Sequence, residues 1–244
     1  MQSYMINHPG SFDIIGDIHG CFLELVLLLE KLGYQFHRDD FTIHHEQGRA
    51  LIFVGDMVDR GINSPDVLRL YISGSAKGNI FCVNGNHDDK LRRYLLGNNV
   101  SLSNGLSNTV EQLKEETESF KSTVLSALSS LKSHLIFDSG KLVVTHAAIK
   151  EKYFDQDSKK IRAYCMYGPT TGVIDQHGFP ERLPWAEDYT GKALIVYGHQ
   201  PTKKPCVIGR TINIDTGCVF GGKLTAYRYP EMIFESVPAL KAYD

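Results

Sequence analysis

Five short phrases constrain this 244-residue chain more than any other feature: Gly16-Asp17-Ile18-His19-Gly20, Gly55-Asp56-Met57-Val58-Asp59-Arg60-Gly61, Gly85-Asn86-His87-Asp88, Thr145-His146-Ala147 and Gly198-His199. Each sets a His, Asp or Asn beside a glycine or another small residue, and most follow an apolar run. Strand ends that break into tight turns have this composition, since glycine accepts the backbone angles and Asp and Asn bond their own backbone. The side chains so presented are oxygen and imidazole donors, the types that borderline divalent metals take. One such phrase is ordinary turn punctuation. Five of them, spread from residue 17 to residue 199, require a fold that gathers several strand ends at one place.

Hydrophobic periodicity places the phrases on elements. A β-rich run at 12–15 and a helical pattern at 23–32 flank the first phrase, so it is a turn between strand and helix. A second buried strand at 50–54 precedes the next, and Ser64-Pro65 reads as an N-cap with proline at the first helical position of a helix over 66–73. A strand at 79–83 and a helix at 88–96 repeat the unit. Residues 98–134, rich in Ser, Glu, Lys and spaced Leu, read as two amphipathic helices and are expected to form a cap over one side of the cleft. Strands are then expected at 135–138, 142–145, 193–197, 211–214 and 223–227. Periodicity by itself says α/β or α+β.

Length fits one domain over 1–244, and no Pro/Gly/Ser-rich linker, long charge run or repeat argues for a split. The formal net charge of −2 excludes a chain whose main work is holding extended nucleic acid by counterion release, while a local basic pocket remains open. Five cysteines, odd in number and without Cys-x-x-Cys spacing, indicate neither a disulfide framework nor a structural zinc site. Reduced, mostly buried thiols in a cytoplasmic protein are expected. No run approaches a membrane span and residues 1–11 lack the pattern of a secretory leader, so no membrane partner is expected.

The phrases resemble the GDxHG, GDxVDRG and GNH[DE] signature of the phosphoprotein-phosphatase branch of the calcineurin-like metallophosphoesterases, which two separate histidines complete. The stretches 84–97 and 211–225, with the region of Trp185, are similar to a bacterial subgroup. That subgroup contains the asymmetrical bis(5'-nucleosyl)-tetraphosphatases and the phosphatase module of bacterial polynucleotide kinase-phosphatase. The resemblance implies a two-sheet β-sandwich flanked by helices and a site for two divalent metals. In it Asp17 and His19 bind the first metal, Asp56 bridges, and Asn86, His146 and His199 complete the second. Oxygen and imidazole donors suit manganese, with iron or zinc as alternatives, better than calcium. His87, beside Asn86, is expected to be the general acid, with Asp59 accepting from its other ring nitrogen. Arg60 has a planar donor fork suited to phosphate. For a second phosphate-clamping arginine, Arg162 in the run Lys159-Lys160-Ile161-Arg162 is the candidate, ahead of Arg210.

The expected function is hydrolysis of dinucleoside polyphosphates such as diadenosine tetraphosphate, cut asymmetrically through attack by a hydroxide bridging the two metals. The same core would serve a protein Ser/Thr phosphatase acting on phosphoproteins, or a polynucleotide end phosphatase. A non-catalytic metal-binding module is the reading from another class, and His87 and Asp59 speak against it.

Overall fold

The computed structural model describes every residue except 1–3, 9, 175, 177 and 179. Its elements run β1 (Phe12–Ile15), α1 (Phe22–Leu32), β2 (Tyr34–His37), β3 (Thr42–His45), β4 (Ala50–Phe53), α2 (Ser64–Lys77), β5 (Ile80–Cys82), α3 (Asn86–Leu95), α4 (Leu106–Lys114), α5 (Glu118–Ser130), β6 (His134–Phe137), β7 (Leu142–Thr145), α6 (Lys159–Tyr167), β8 (Thr170–Ile174), β9 (Pro180–Arg182), β10 (Leu194–Tyr197), β11 (Cys206–Ile208), β12 (Thr211–Asn213), β13 (Lys223–Tyr229) and β14 (Ile233–Pro238). One five-stranded sheet has the order β14-β13-β1-β4-β5 and the other β11-β12-β10-β7-β6.

The two-residue period of a strand sorts the side chains into layers. Phe12 and Ile14 of β1, Ala50 and Ile52 of β4, Leu142 and Val144 of β7 and Leu194 and Val196 of β10 interleave in one buried cluster between the sheets. The alternate residues Ile15, Leu51 and Phe53 face the helices, where Leu25, Leu28 and Leu29 of α1 and Val67 and Leu68 of α2 cover them. On the far side Val143 and Ile195 pack with Ile161 and Cys165 of α6. Strands buried on both faces explain why the sequence shows short continuous apolar runs here rather than polar alternation.

What positions the site is strand direction. β1, β4 and β5 are mutually parallel and end flush, with Ile15 opposite Phe53 and Phe53 opposite Cys82. β10 is parallel to both β7 and β12. Parallel strands put their C-terminal ends on one edge, and ligands in such sheets bind outside those ends. The loops leaving these six strands carry, in order, Asp17 and His19, Asp56 to Arg60, Asn86 and His87, His146, His199, and Asp215.

The expected strands all form, and two helices occupy the 98–134 stretch. The cap of α2 is displaced by one residue from the expectation: Asn63, not Ser64, accepts from Asp66 N at 3.2 Å. The Ser64 hydroxyl is instead taken by Asp59 N at 3.2 Å, which leaves the capping role to its neighbour. α2 also runs on to Lys77, past Gly74, whose missing side chain lets Ile80 lie against the helix. The hairpins β2–β3 and β8–β9, helix α6 and the edge strands β11 and β14 were not expected. Their short or polar sequences carry little periodic signal, and β8 is exposed along its whole length.

Candidate active site

The loop after β1 and the loop after β4 are sewn together by backbone: Ile18 N and His19 N both donate to Asp56 O, at 3.2 and 2.9 Å. His19 and Asp56 adopt positive φ, at 46° and 50°, so both side chains turn toward the sheet edge. His19 Nδ1 lies 2.9 Å from Val58 O, and because a carbonyl only accepts, that nitrogen carries the proton. Nε2 is then left with its lone pair, 3.6 Å from Asp56 Oδ2. A backbone carbonyl that fixes the tautomer in this way is the usual support of a metal-binding histidine.

His146 repeats the arrangement from the other sheet. Its Nδ1 is 2.8 Å from Val54 O, and its Nε2 faces Asn86 Oδ1 at 3.0 Å, His199 Nδ1 at 3.0 Å and Asp56 Oδ2 at 3.4 Å. Asp56 therefore belongs to two donor groups at once, one with His19 and His87 and one with His146 and His199. Asp17 joins through the His199 backbone, whose N–H donates to its two oxygens at 3.2 and 3.1 Å. Gly198 is needed here, since a Cβ would run into Asp17 Oδ1.

The donors suit cations rather than one another. A single proton on His146 Nε2 cannot serve three acceptors, and His199 Nε2 is buried with no partner among the described residues. Burial and the like charge of Asp215 push Asp17 well above the ordinary carboxylate range. Burial also works against the charge of Asp56, yet His146, His87 and His19 hold it well below that range. On His146 burial is outweighed by the Asp56 carboxylate, and the imidazole is pushed up to about 10. The two groups, all oxygen and imidazole, are candidate metal centres that share one carboxylate.

His87 opens α3 and sits apart from that arrangement in one respect: its Nδ1 is committed to Asp59 Oδ2 at 2.6 Å. Asp59 is fully buried, and its other oxygen accepts from Thr109 Oγ1 at 2.8 Å. Burial lowers the proton affinity of His87, but the charges of Asp56 and Asp59 outweigh it and raise it overall. Asp88, also buried, accepts from Asp56 N at 2.8 Å, Met57 N at 3.0 Å and Gly85 N at 3.2 Å, which clamps two of the loops to one helix N-terminus. The fourth position of the Gly85-Asn86-His87-Asp88 phrase was the signal for it. Thr109 had no signal in the sequence.

Of the two arginines proposed from sequence, the structure brings one to the site. Arg60 is half-buried, its guanidinium 5.0 Å from the Phe220 ring and in the field of Asp56, Asp59 and Asp215, and it is paired with Asp244. Arg162 makes its ion pair away from the donor groups. It is exposed on α6 and forks onto Asp157 at 2.7 and 2.5 Å, lining a hollow with Tyr4, Leu128 and Met166. At this helix start the charged run makes a local ion pair. Arg182, at the end of β9, is an arginine that sequence reasoning did not single out. Its guanidinium donates to Tyr167 O and its charge lowers the proton affinity of His199. Trp185 packs on Tyr197 with ring centroids 5.0 Å apart, while Tyr167 is exposed. His134 is buried and stacked on Tyr4, in keeping with a packing role, and His177 lies outside the described residues.

Residues 10–203 match the family model for calcineurin-like phosphoesterases. Among curated proteins, asymmetrical bis(5'-nucleosyl)-tetraphosphatase PrpE of Anoxybacillus flavithermus is 45% identical over 236 residues, covering 95% of this chain and 96% of the relative. The enzyme of the same name from Bacillus subtilis is 42% identical over 238 residues, covering 96% and 97%. Among solved structures, one described as a candidate diadenosine tetraphosphatase superposes with a TM-score of 0.67 at 24% identity, over 96% of each chain. A Saccharomyces cerevisiae protein serine/threonine phosphatase superposes at 0.63 and 16% identity, over 95% of this chain and 80% of that one. With most of its length inside the family model and full-length relatives above 40% identity, the chain belongs to the calcineurin-like phosphoesterase family and is a hydrolase.

Proposed function

We propose that this hydrolase acts on dinucleoside polyphosphates, diadenosine tetraphosphate among them, releasing a nucleoside triphosphate and a monophosphate. The names of the relatives support the substrate class. The observation that carries the chemistry is the place of Asp56 Oδ2, between His19 Nε2 at 3.6 Å and His146 Nε2 at 3.4 Å. Asp17, His19 and Asp56 would hold one divalent ion, and Asp56, Asn86, His146 and His199 the other. Manganese is the preferred ion, with iron or zinc as alternatives. Such ions, when bound, supply Lewis acidity toward the phosphoryl oxygens and lower the pKa of water.

The chain's own residues do the rest. Arg60 and Arg182 present guanidinium donors to the phosphate oxygens from two sides and orient the chain of phosphates. His87 keeps Nδ1–H on Asp59, so Nε2 is the nitrogen free to give a proton to the departing oxygen as the P–O bond breaks. The whole of 1–244 works as one domain, and 98–134 works as a cap that grips the Arg60 loop. Asn108 Nδ2 donates to Arg60 O and Gln112 Nε2 to Gly61 O, each at 2.9 Å, in support of this. No helix among the described residues is long and apolar enough to cross a membrane, and a cytoplasmic site of action without extended nucleic-acid binding fits the near-neutral charge.

The experiment is a parallel assay of manganese-loaded protein on diadenosine tetraphosphate, a phosphoserine peptide and a 3'-phosphorylated oligonucleotide, compared by kcat/KM. The expected result is preference for the dinucleotide with equal yields of ATP and AMP. Two ADP per turnover would overturn asymmetric cleavage, and preference for the peptide or oligonucleotide would move the substrate to phosphoproteins or polynucleotide ends. No turnover of any of the three would leave a metal-binding module.

A further inference from the structure

Behind the phosphoesterase site, on the α1 side, lies a second group of ligand-type side chains that the reaction does not use. Cys21, Glu24 and Cys218 are all buried, and their ligand atoms lie within 4.8 Å of one another. Cys21 is the N-cap of α1 and Glu24 is in its first turn. Cys218 comes from the tight turn that follows Asp215, far away in the chain. Glu24 Oε1 is well served, accepting from Leu240 N at 3.0 Å and from Tyr243 O–H at 2.7 Å. Its Oε2 is buried with no partner among the described residues. A buried carboxylate oxygen left without donor or cation is a cost that folded proteins avoid, and here two sulfurs stand next to it.

We propose that Cys21, Cys218 and Glu24 bind a thiophilic divalent cation, zinc before any other. Two thiolates and one carboxylate leave the assembly at a net charge of −1, and a solvent oxygen completes four-coordination. Thiolate donors select zinc over manganese or magnesium, so this site differs in kind from the oxygen and imidazole centre beside it. A cation there ties together three segments that flank the neighbouring strands β1, β13 and β14: the loop that presents Asp17 and His19, the turn after Asp215, and the C-terminal segment held by Glu24 and by Tyr243 N on Val219 O at 2.8 Å. The separation of Cys21 and Cys218 in the chain is why cysteine spacing pointed to no zinc site.

Cobalt(II) distinguishes the two sites, because a sulfur-to-cobalt charge-transfer band in the near ultraviolet arises only where thiolate binds the metal. The full-length protein is stripped with chelator under reductant and reloaded with cobalt(II) in the presence of manganese. The expected result is the band in wild type, its retention in His146→Ala, and its loss in Cys218→Ser together with about one equivalent of zinc per chain in the as-purified protein. No band in wild type would overturn the proposal whether or not the variant folds. So would a band that survives Cys218→Ser, or an intact mass showing Cys21 and Cys218 joined as a disulfide under the same reductant.

Discussion

Thr109, on a helix that belongs to none of the strand-end loops, donates to Asp59 Oδ1 at 2.8 Å, while the Asp59 N–H donates back to the same hydroxyl at 2.9 Å. The carboxylate that orients His87 is thus held from behind by the 98–134 segment. Thr109→Val preserves the shape and removes both contacts. A hydrogen bond to a buried charge is worth about 1.5–3 kcal/mol. The unfolding free energy should fall by about that amount, and kcat on a phosphoserine peptide by roughly tenfold, the equivalent of about 1.4 kcal/mol. Denaturant titration and kinetics at saturating metal check both, with metal content unchanged.

The leaving group reads out what His87 does. A serine alkoxide needs a proton as it departs, and general-acid help is worth about 10²–10⁴-fold. A nucleotide phosphate is a stable anion and needs it less. His87→Asn should therefore slow phosphoserine hydrolysis far more than hydrolysis of diadenosine tetraphosphate or an activated aryl phosphate, with Asp59→Asn following the same order more weakly. Equal losses on all three substrates would assign His87 to placing the phosphate.

Asp56 and Arg60 should separate metal binding from phosphate binding. Asp56 is the carboxylate common to both donor groups, so Asp56→Asn should lower bound metal and activity together. Arg60→Ala should lose activity at near-normal metal content. Elemental analysis of the two purified variants is the measurement, and equal metal loss would contradict the division.

The second clamp is tested by a pair of arginine variants. Arg182→Ala should raise KM for the polyphosphate and lower kcat/KM by about 10²-fold, the scale of losing a charge-assisted phosphate contact. Arg162→Ala should leave kinetics near wild type and act on stability alone. The Arg162 hydrogen bond holds the Asp157 carboxyl below its ordinary value. The stability it lends is present above that ordinary value, about 4, and is lost as pH falls through the lowered one. The stability difference between wild type and Arg162→Ala, under about 1 kcal/mol for so exposed a pair, should be present at pH 7 and vanish in acid. Chemical denaturation across that pH range follows it.

Away from the site, Arg49 is buried and donates to both Asp13 oxygens, at 2.8 and 3.0 Å, and to Phe12 O at 2.8 Å. Arg49→Met strands part of a buried carboxylate's charge, which Arg228 then neutralises alone at 2.8 Å. A broken buried pair costs about 3–5 kcal/mol. The low end is expected here, read as a shift in the urea midpoint with little change in kcat.

Local sequence determined a great deal of this protein. Apolar runs that end in Gly-Asp, Gly-Asn or a histidine named the strands, the turns and the residues at the sheet edge. That information is local because a parallel strand delivers its next residue to the same edge as its neighbours. That logic does not reach Arg162, since a guanidinium at the end of a long side chain takes whatever carboxylate lies near, and Asp157 lies five residues away in the chain. Only tertiary structure could bring Thr109 to Asp59, Asp88 to the Asp56 backbone, or Cys218 to Cys21 and Glu24. Those contacts join distant segments through one or two polar atoms and leave no period in the sequence. They exist because two sheets and their covering helices close around a shared edge, where a buried polar atom must find its partner among whatever the fold has placed there.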